Sequence, residues 1–388
     1  MVGIYSINQY DYDKIFDIVN NIFNEFGLDK RIKKGMNVVI KPDLTPSEEG
    51  KDFSSSNILV IKAVAKKVML CEANVTIVDR TEGIFNEKSI NEEYEKLGLL
   101  ELEEQGINLN RDCKVVKADV KSDSDIDKVE IIATIKNADF VINLPKLKTH
   151  MLFGLCGATV NMFSSITSES MKNIFGKYEE SSKISKIALM VARSIKNQFT
   201  IMDGIVAMDG NGYLNGNKVN FGHIIASDSL TELDYTVSKR ICKMYKQLPI
   251  ISEIIRVSQG KTDMLDNIEV REEKTKYKQF KFPLSVEKLS SLDKLLGKKV
   301  WPKINEKKCI KCKICVLRCP TKVIEEENHK IVMKNRHKCT RCMHCVSQCP
   351  VNAIYVKKMR VKISKKQIQM LNEAKGQNGN ENKESIDG

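Results

Sequence analysis

The chain has 388 residues, 42% of them hydrophobic, an ordinary composition for a globular protein with one large and one small domain. No apolar run approaches the roughly 18 residues of a membrane span, and the polar N-terminus lacks the pattern of a secretory signal. The formal net charge is +13, and the 12 cysteines, with no mark of secretion, predict thiols in a reducing cytoplasm rather than disulfides.

Amphipathic helices and short apolar strands alternate along the first 250 residues. Apolar side chains at helical spacing predict helices around residues 15–26, 61–68, 87–105, 184–195 and 229–246. Short apolar runs predict strands at residues 38–40, 75–78, 140–144, 200–202 and 224–226. This alternation predicts an α/β fold with a mostly parallel sheet and helices on both of its faces.

Polar side chains follow four of these strands where each is expected to end. Ligands of parallel sheets lie outside the carboxyl ends of the strands, so these side chains are expected to share one pocket. The alternative is that each strand-end aspartate caps a helix. The mixture of carboxylates, ammonium groups and an imidazole suits an anionic or metal-bound ligand and proton transfer, with His150 as the preferred proton donor. The predicted lining is Asp43, Asp79, Lys146, Lys148, His150 and Asp203.

Glycine-containing segments complete the description of this region. Residues 154–159 (GLCGAT) predict backbone N–H groups at a helix start, where an anion can bind, and residues 209–212 (DGNG) predict a turn. The chain has no G-x4-G-K-[ST] loop, and no G-x-G-x-x-G follows a predicted strand. A P-loop nucleotide site and a Rossmann dinucleotide site are therefore disfavoured.

One cysteine spacing occurs twice near the C-terminus. Residues 309–319 and 339–349 both have the pattern C-x2-C-x2-C-x3-C, followed by proline. A zinc ribbon has two C-x2-C pairs joined by a longer arm, so this spacing predicts two 4Fe–4S clusters instead. In such runs the fourth cysteine ligates the other cluster. The predicted ligand sets are Cys309, Cys312, Cys315 and Cys349, and Cys339, Cys342, Cys345 and Cys319. His337 and His344 adjoin these cysteines and are expected to lie beside a cluster or to face solvent.

Residues 303–357 resemble the bacterial two-cluster 4Fe–4S ferredoxin domain. Both halves carry the cysteine run, the proline and short apolar stretches such as Val323-Ile324 and Ile331-Val332. The resemblance implies two pseudo-symmetric units of β-hairpin and helix, with electron transfer as their role.

The larger region resembles the family catalogued as domain of unknown function 362, over about residues 35–245. The segments that carry the resemblance are 39–44 (VIKPDL), 139–150 (DFVINLPKLKTH) and 203–210 (DGIVAMDG). The family implies an α/β fold, often fused to a two-cluster ferredoxin domain, but no settled reaction. The chain has Val160-Asn161 where the family has a Lys-Asn pair, and Ser54-Ser55-Ser56-Asn57 where the family has a Thr-Thr-His-Pro-like stretch.

The predicted domains differ in charge. They are an α/β domain over residues 1–257, a Lys-rich linker over 258–302 with a helix at 284–296, the ferredoxin domain over 303–357 and a disordered tail over 372–388. Residues 301–388 carry 20 Lys and Arg against 8 Asp and Glu, which places +12 of the net charge there. This charge either compensates the cluster–thiolate cores, steers an acidic redox partner, or contacts nucleic acid. No RNA-binding or zinc-finger motif supports the last interpretation.

The leading hypothesis is an iron–sulfur oxidoreductase. Two 4Fe–4S clusters would exchange electrons with an unidentified small molecule bound by the α/β domain, and an acidic protein is the expected redox partner. The alternative is a non-enzymatic electron carrier or an assembly factor whose α/β domain docks a client protein. A nucleic-acid-binding iron–sulfur protein is the third hypothesis and depends on the basic C-terminus alone. No membrane partner is expected.

Overall fold

Helices and strands alternate along the described chain in a computed structural model. It describes residues 1–45, 52–80, 85–120, 126, 128–178, 180–212, 215–259, 265–272, 276–283, 301–340, 342, 344–347, 349, 351 and 353–356. The strands are β1 (Val2–Ser6), β2 (Asn37–Pro42), β3 (Asn74–Ile77), β4 (Asn108–Leu109), β5 (Val115–Asp119), β6 (Lys128–Ile132), β7 (Phe140–Leu144), β8 (Lys146–His150), β9 (Gly154–Cys156), β10 (Gln198–Asn211), β11 (Asn215–Ser227), β12 (Val270–Glu272), β13 (Pro302–Ile304), β14 (Ile324–Glu327), β15 (Lys330–Met333) and β16 (Ile354–Val356). The helices are α1 (Tyr12–Glu25), α2 (Leu28–Arg31), α3 (Ile58–Leu70), α4 (Glu87–Lys96), α5 (Ala133–Lys136), α6 (Ala158–Phe163), α7 (Ser168–Lys177), α8 (Ser181–Ser194), α9 (Leu230–Ile241), α10 (Pro249–Val257), α11 (Ile314–Arg318) and α12 (His344–Ser347).

A large sheet organises the N-terminal part of the molecule. Its central strands β4, β3, β2, β7 and β10 run parallel in that spatial order. Beyond β10, strands β11 and β1 continue the sheet in antiparallel pairing. Strand β8 pairs with β10 past the end of β7 and forms a hairpin with β9. The predicted α/β fold with a mostly parallel sheet is confirmed.

Two hydrophobic cores, one on each face of the sheet, explain why the strands are apolar throughout. Along β2, Val38 and Ile40 pack into the core formed with α1 and α3, whereas Val39 packs into the core formed with α8 and α9. Side chains alternate between the two faces of a strand, so a strand covered on both faces is apolar at every position. The carboxyl ends of these strands therefore present the first polar residues.

The structure corrects two predicted element boundaries. Strand β10 does not end at Asp203 but runs on to Asn211, because its partner changes from β7 to β8 at that point. The helix predicted over residues 87–105 divides in two: α4 ends at Lys96 and a 3-10 helix covers Leu99–Gln105. Gly98 lies between them at φ +69°, a left-handed conformation that a helix interior cannot contain.

Part of the predicted linker belongs to the α/β domain. Strand β12 adds to the sheet edge beside β1, and Phe280 and Phe282 are buried in the core. The predicted helix at 284–296 and the tail at 372–388 lie outside the described residues. No helix in the described ranges is long and apolar enough to cross a membrane.

The C-terminal domain is small and built around its cysteines. Strands β13 and β16 pair, as do β14 and β15, both antiparallel. The short helices α11 and α12 each carry the third cysteine of a run, Cys315 and Cys345. The domain's core contains Val323, Ile331, Val346 and other apolar side chains packed against cluster cysteines.

Candidate functional site

A cavity lies where the carboxyl end of the sheet meets the C-terminal domain. Its volume is about 70 Å³. Its polar wall contains Asp43, Asp79, Arg80, His150 and Asn161. Its apolar wall contains Phe153, Val160, Phe163, Met171 and Phe175. The C-terminal domain contributes Cys342 and His344, so both domains build this cavity.

Asp43 and Asp79 of the polar wall are each paired with a buried lysine, and neither lysine is among the described residues that line the cavity. Lys41 Nζ, at the end of β2, lies 2.6 Å from Asp79 Oδ1 and 3.1 Å from Asn161 Oδ1. Lys148 Nζ, on β8, lies 2.9 Å from Asp43 Oδ1 and 2.8 Å from the carbonyl oxygen of Ser54. Both lysine side chains are completely buried, so the charges are stabilised by each other and by these hydrogen bonds rather than by water.

The two carboxyl groups have pKa values shifted in opposite directions. Burial alone would raise the pKa of Asp43, but the charge and hydrogen bond of Lys148 outweigh it and lower the pKa below its usual value. Burial raises the pKa of Asp79, and Lys41 compensates only part of that effect. Carboxyl groups with diverging pKa values in one site typically divide the roles of anion and proton carrier.

The surroundings of His150 favour the neutral imidazole, and its role as the preferred proton donor stays a prediction. Its Nδ1 accepts hydrogen bonds from the backbone N–H groups of Leu152, at 3.0 Å, and Phe153, at 3.3 Å. Burial, and then the charge of Lys148, lower the pKa of His150 to about 3. Because Nδ1 is an acceptor, the ring hydrogen is on Nε2.

The predicted residues Lys146 and Asp203 form a separate cluster. Lys146 Nζ lies 2.8 Å from Asp203 Oδ2 and 2.5 Å from the hydroxyl oxygen of Tyr10. Asp203 also accepts the backbone N–H of Asn57, the N-cap of α3, at 3.0 Å. Neither Lys146 nor Asp203 is among the described residues that line the cavity. A shift in register on β10 separates Asp203, beside Lys146, from Met208, beside Lys148, which places the two lysines in different surroundings.

The start of α6, at Ala158 within residues 154–159, is bound by a carboxylate of the protein itself. Asp234 on α9 accepts the backbone N–H groups of Ala158 and Thr159 at 2.7 and 2.9 Å. The anion site that the sequence predicts at this helix start is therefore filled by the chain's own Asp234. Cys156 in the same segment lies in the cavity wall with its thiol 3.7 Å from Asp43, and burial raises its pKa well above the usual value.

The first predicted set of cluster cysteines comes together around one space. Cys309, Cys312, Cys315 and Cys349 line this space, whose walls are apolar. Burial and the neighbouring Cys339 and Cys319 raise the pKa of Cys342, to about 12. A buried thiol of this kind is held as a thiolate by bound iron, so the donor set fits an iron–sulfur cluster. Among the described residues, no three His, Cys, Asp or Glu side chains converge on a single metal ion.

Several contacts at the domain junction were not predicted. His344 packs its ring on Phe175, with centroids 5.5 Å apart, and Met151 joins the apolar core around the cluster cysteines. Pro320, after the fourth cysteine of the first run, lies against Gly176 of α7. These contacts join segments distant in sequence, so spacing along the chain does not indicate them. In the sequence, the position of His344 between Cys342 and Cys345 was the one indication that this residue lies near a cluster.

Comparisons with known proteins agree with this two-part organisation. The profile described as domain of unknown function (DUF362) matches residues 38–239, and that of a 4Fe–4S dicluster domain matches residues 301–350. The thylakoid-associated protein sll1697 of Synechocystis sp. is 31% identical over 106 residues, which are 26% of this chain and 32% of that protein. The chain thus matches about a third of that relative's length.

The lactate racemase apoprotein of Thermoanaerobacterium thermosaccharolyticum shares 15% identity with this chain, with a TM-score of 0.35. The comparison covers 53% of this chain and 50% of the racemase. The DUF362 profile spans more than half of the chain, and the dicluster profile coincides with both cysteine runs. The chain belongs to the DUF362 family and carries a C-terminal 4Fe–4S dicluster domain, which makes it an iron–sulfur electron-transfer protein.

Proposed function

We propose that this protein is an oxidoreductase in which two 4Fe–4S clusters exchange electrons with a small molecule bound in the cavity between the domains. The observation that carries the proposal is that a single cavity is lined both by Cys342, a predicted cluster ligand, and by Asp43, Asp79 and His150. A molecule in this space would contact a cluster's immediate surroundings and groups able to move protons.

The cluster ligands in this proposal are those that the sequence predicts. The first set is Cys309, Cys312, Cys315 and Cys349, and the second is Cys339, Cys342, Cys345 and Cys319. When bound, such clusters supply electrons one at a time, at potentials that the protein sets between roughly −700 and +450 mV. Because Cys342 lines the cavity and Cys312 is exposed to solvent, the second cluster faces the ligand and the first faces outward.

The polar wall supplies the proton chemistry. The 2.6 Å contact between Lys41 Nζ and Asp79 Oδ1 holds a proton within reach of both atoms, and burial raises the pKa of Asp79, which favours its neutral form. Asp43 stays anionic beside Lys148 and orients the ligand. His150 donates a hydrogen bond through Nε2 and does not carry a charge. The Lys146–Asp203 pair, outside the cavity, fixes Tyr10 and the start of α3.

The cavity's charge and shape favour an anionic molecule with an apolar body. The pairs Lys41–Asp79 and Lys148–Asp43 are each formally neutral, and Arg80 contributes a guanidinium group to the cavity lining. A guanidinium group pairs well with a carboxylate or phosphate. Val160, Phe153 and Phe163 make part of the cavity lining apolar. An unsaturated carboxylic acid is the class that combines these features with acceptance of electrons.

Native mass spectrometry of the anaerobically purified protein tests the proposal. We expect the mass of the chain, two clusters and one small molecule. In Val160→Phe the larger side chain should fill the cavity and remove the small molecule without loss of clusters. Val115→Phe is the matched control, since Val115 is 39% exposed on β5 and absent from the cavity lining. Two clusters with no further mass in the parent protein, or a bound molecule that Val160→Phe retains, would contradict the cavity assignment and favour a simple electron carrier.

A further inference from the structure

The surface over the first cysteine set is both apolar and exposed. Cys312 is an exposed ligand cysteine, and the neighbouring Ile310 and Leu317 are 61% and 74% exposed. Isolated apolar side chains are common on surfaces, but two large ones beside an exposed electron-transfer group are characteristic of a docking site.

Ile310 and Cys312 lie in the first cysteine run, and Leu317 lies on α11, the helix that carries Cys315. Ile310, Cys312 and Ile314 line the same space as the other cysteines of the first set. In α11 the backbone N–H of Leu317 bonds to the carbonyl oxygen of Lys313, so Leu317 lies one turn beyond Lys313 and Ile314 on the same side of the helix. We use the name uptake face for the surface formed by Ile310, Cys312, Leu317, Lys307, Lys308 and Lys311.

Positive charge predominates around the uptake face, and the nearby Glu326 is paired with Lys313 at 2.6 Å. Residues 303–318 contain six Lys or Arg and one acidic residue, Glu306. Glu306 is paired with Lys330 at 2.9 Å, which reduces its effect on the face. Lys307, Lys308 and Lys311 are all exposed. An apolar centre with a charged rim is the ordinary composition of a transient protein interface, and the sign of the rim selects the partner.

We propose that the uptake face docks an acidic one-electron carrier protein that reduces the first cluster. The step transfers one electron: the carrier is oxidised by one electron, the iron–sulfur domain is reduced by one, and no covalent bond is made or broken. The proposal requires the electron-transfer role of the domain but not the small molecule of the cavity. Its failure is therefore distinguishable from failure of the proposed function, which concerns the opposite side of the domain.

Anaerobic stopped-flow reduction of the full-length, cluster-loaded protein tests this, with a photoreduced acidic flavodoxin as the donor. In Lys307→Glu/Lys308→Glu/Lys311→Glu we expect the second-order rate at low salt to fall about tenfold or more, and its salt dependence to flatten. Lys30→Glu/Lys117→Glu/Lys218→Glu is the matched control, because these lysines are exposed on the α/β domain and the net charge changes equally. Dithionite, a small reductant that needs no docking face, should reduce all variants at the parent rate.

Leu317→Ser provides a second test that leaves cluster ligands and core unchanged. We expect a lower flavodoxin rate with the parent's salt dependence and normal iron content, since only the apolar contact is lost. The proposal would be overturned if the rate of reduction by flavodoxin fell equally in the uptake-face triple variant and in the control triple variant. It would also be overturned if Leu317→Ser and the uptake-face triple variant were both reduced at the parent rate. Binding of duplex DNA to the uptake face with no change in the flavodoxin rate would also overturn it and assign the charge to nucleic acid.

Discussion

Asp43 and Asp79 line one cavity, yet the pKa of Asp43 is lowered and that of Asp79 is raised. Each is paired with a completely buried lysine, Lys148 and Lys41 respectively. The difference arises because the charges of Lys148 and Lys41 both lower the pKa of Asp43. The pKa of Asp79 is lowered by Lys41 but raised by the negative charge of Asp43. One aspartate is thereby kept as an anion and the other is prepared to hold a proton.

The Lys148–Asp43 pair should be required for folding. Lys148→Met would leave the Asp43 carboxylate and the Ser54 carbonyl oxygen without their buried donor. We expect a loss of about 3–5 kcal/mol in the free energy of unfolding, measured by denaturant titration. Lys34→Met is the control, because it removes an exposed ion pair with Glu72, which typically contributes about 0–1 kcal/mol. If Lys148→Met and Lys34→Met lose the same free energy of unfolding, then burial of the ion pair does not determine how much its lysine contributes to stability.

Asp234 predicts a specific pH dependence of stability. Burial raises its pKa from 3.8 to about 6, so the folded state binds its proton more tightly than the unfolded state does. The stabilisation from this proton is complete below pH 3.8 and is lost as the pH rises through 6. The unfolding free energy of the parent minus that of Asp234→Asn should therefore fall by about 2 kcal/mol between pH 4 and 7. If this difference in unfolding free energy is the same at pH 4 and pH 7, the pKa of Asp234 is not raised in the folded protein.

The sequence could indicate the site's position because strand ends are local features. Asp43 and Asp79 follow buried apolar strands directly, and a parallel sheet brings such ends together. Tyr10 and Asn161 were missed since each lies on another element and reaches Lys146 or Lys41 only through the tertiary fold. Asp203 was wrongly placed at a strand end because the apolar run stops there while the strand continues beside β8. The spacing of the cysteines could not predict that the C-terminal domain lines the cavity, since this depends on how α7 meets α12.

The exchange of fourth cysteines between the two sets is testable by iron content. Cys349 lines the space of the first set, so Cys309→Ser and Cys349→Ser should each deplete the same cluster. The double variant Cys309→Ser/Cys349→Ser should then retain the other cluster, whereas Cys309→Ser/Cys319→Ser should lose both. Iron analysis and electron paramagnetic resonance of the reduced proteins distinguish these outcomes. Cys71→Ser, far from both runs in the sequence, is the control and should keep full iron content. Loss of both clusters in Cys309→Ser/Cys349→Ser would contradict the crossed ligation.

Proton delivery by Asp79 is the most direct prediction of the cavity's chemistry. Asp79→Asn preserves the shape of the side chain and its contact with the N–H of Leu44 through the remaining oxygen, but it cannot accept or hold a proton at neutral pH. A positioned acid typically contributes 10²–10⁴-fold to a proton transfer. We therefore expect reduced clusters in this variant to be reoxidised by the cavity-bound molecule about 100-fold or more slowly, with iron content unchanged.

The measurement is the anaerobic recovery of visible cluster absorbance after photoreduction. Asp139→Asn is a suitable control, because Asp139 also accepts a backbone N–H, at 2.8 Å from Asn37, but lies on the exposed surface. His150→Ala offers an independent comparison: a neutral His150 that only donates a hydrogen bond should cost less than Asp79→Asn. If His150→Ala abolishes reoxidation and Asp79→Asn leaves it at the parent rate, then the proton comes from the imidazole despite its lowered pKa, and the roles assigned to these two residues must be exchanged.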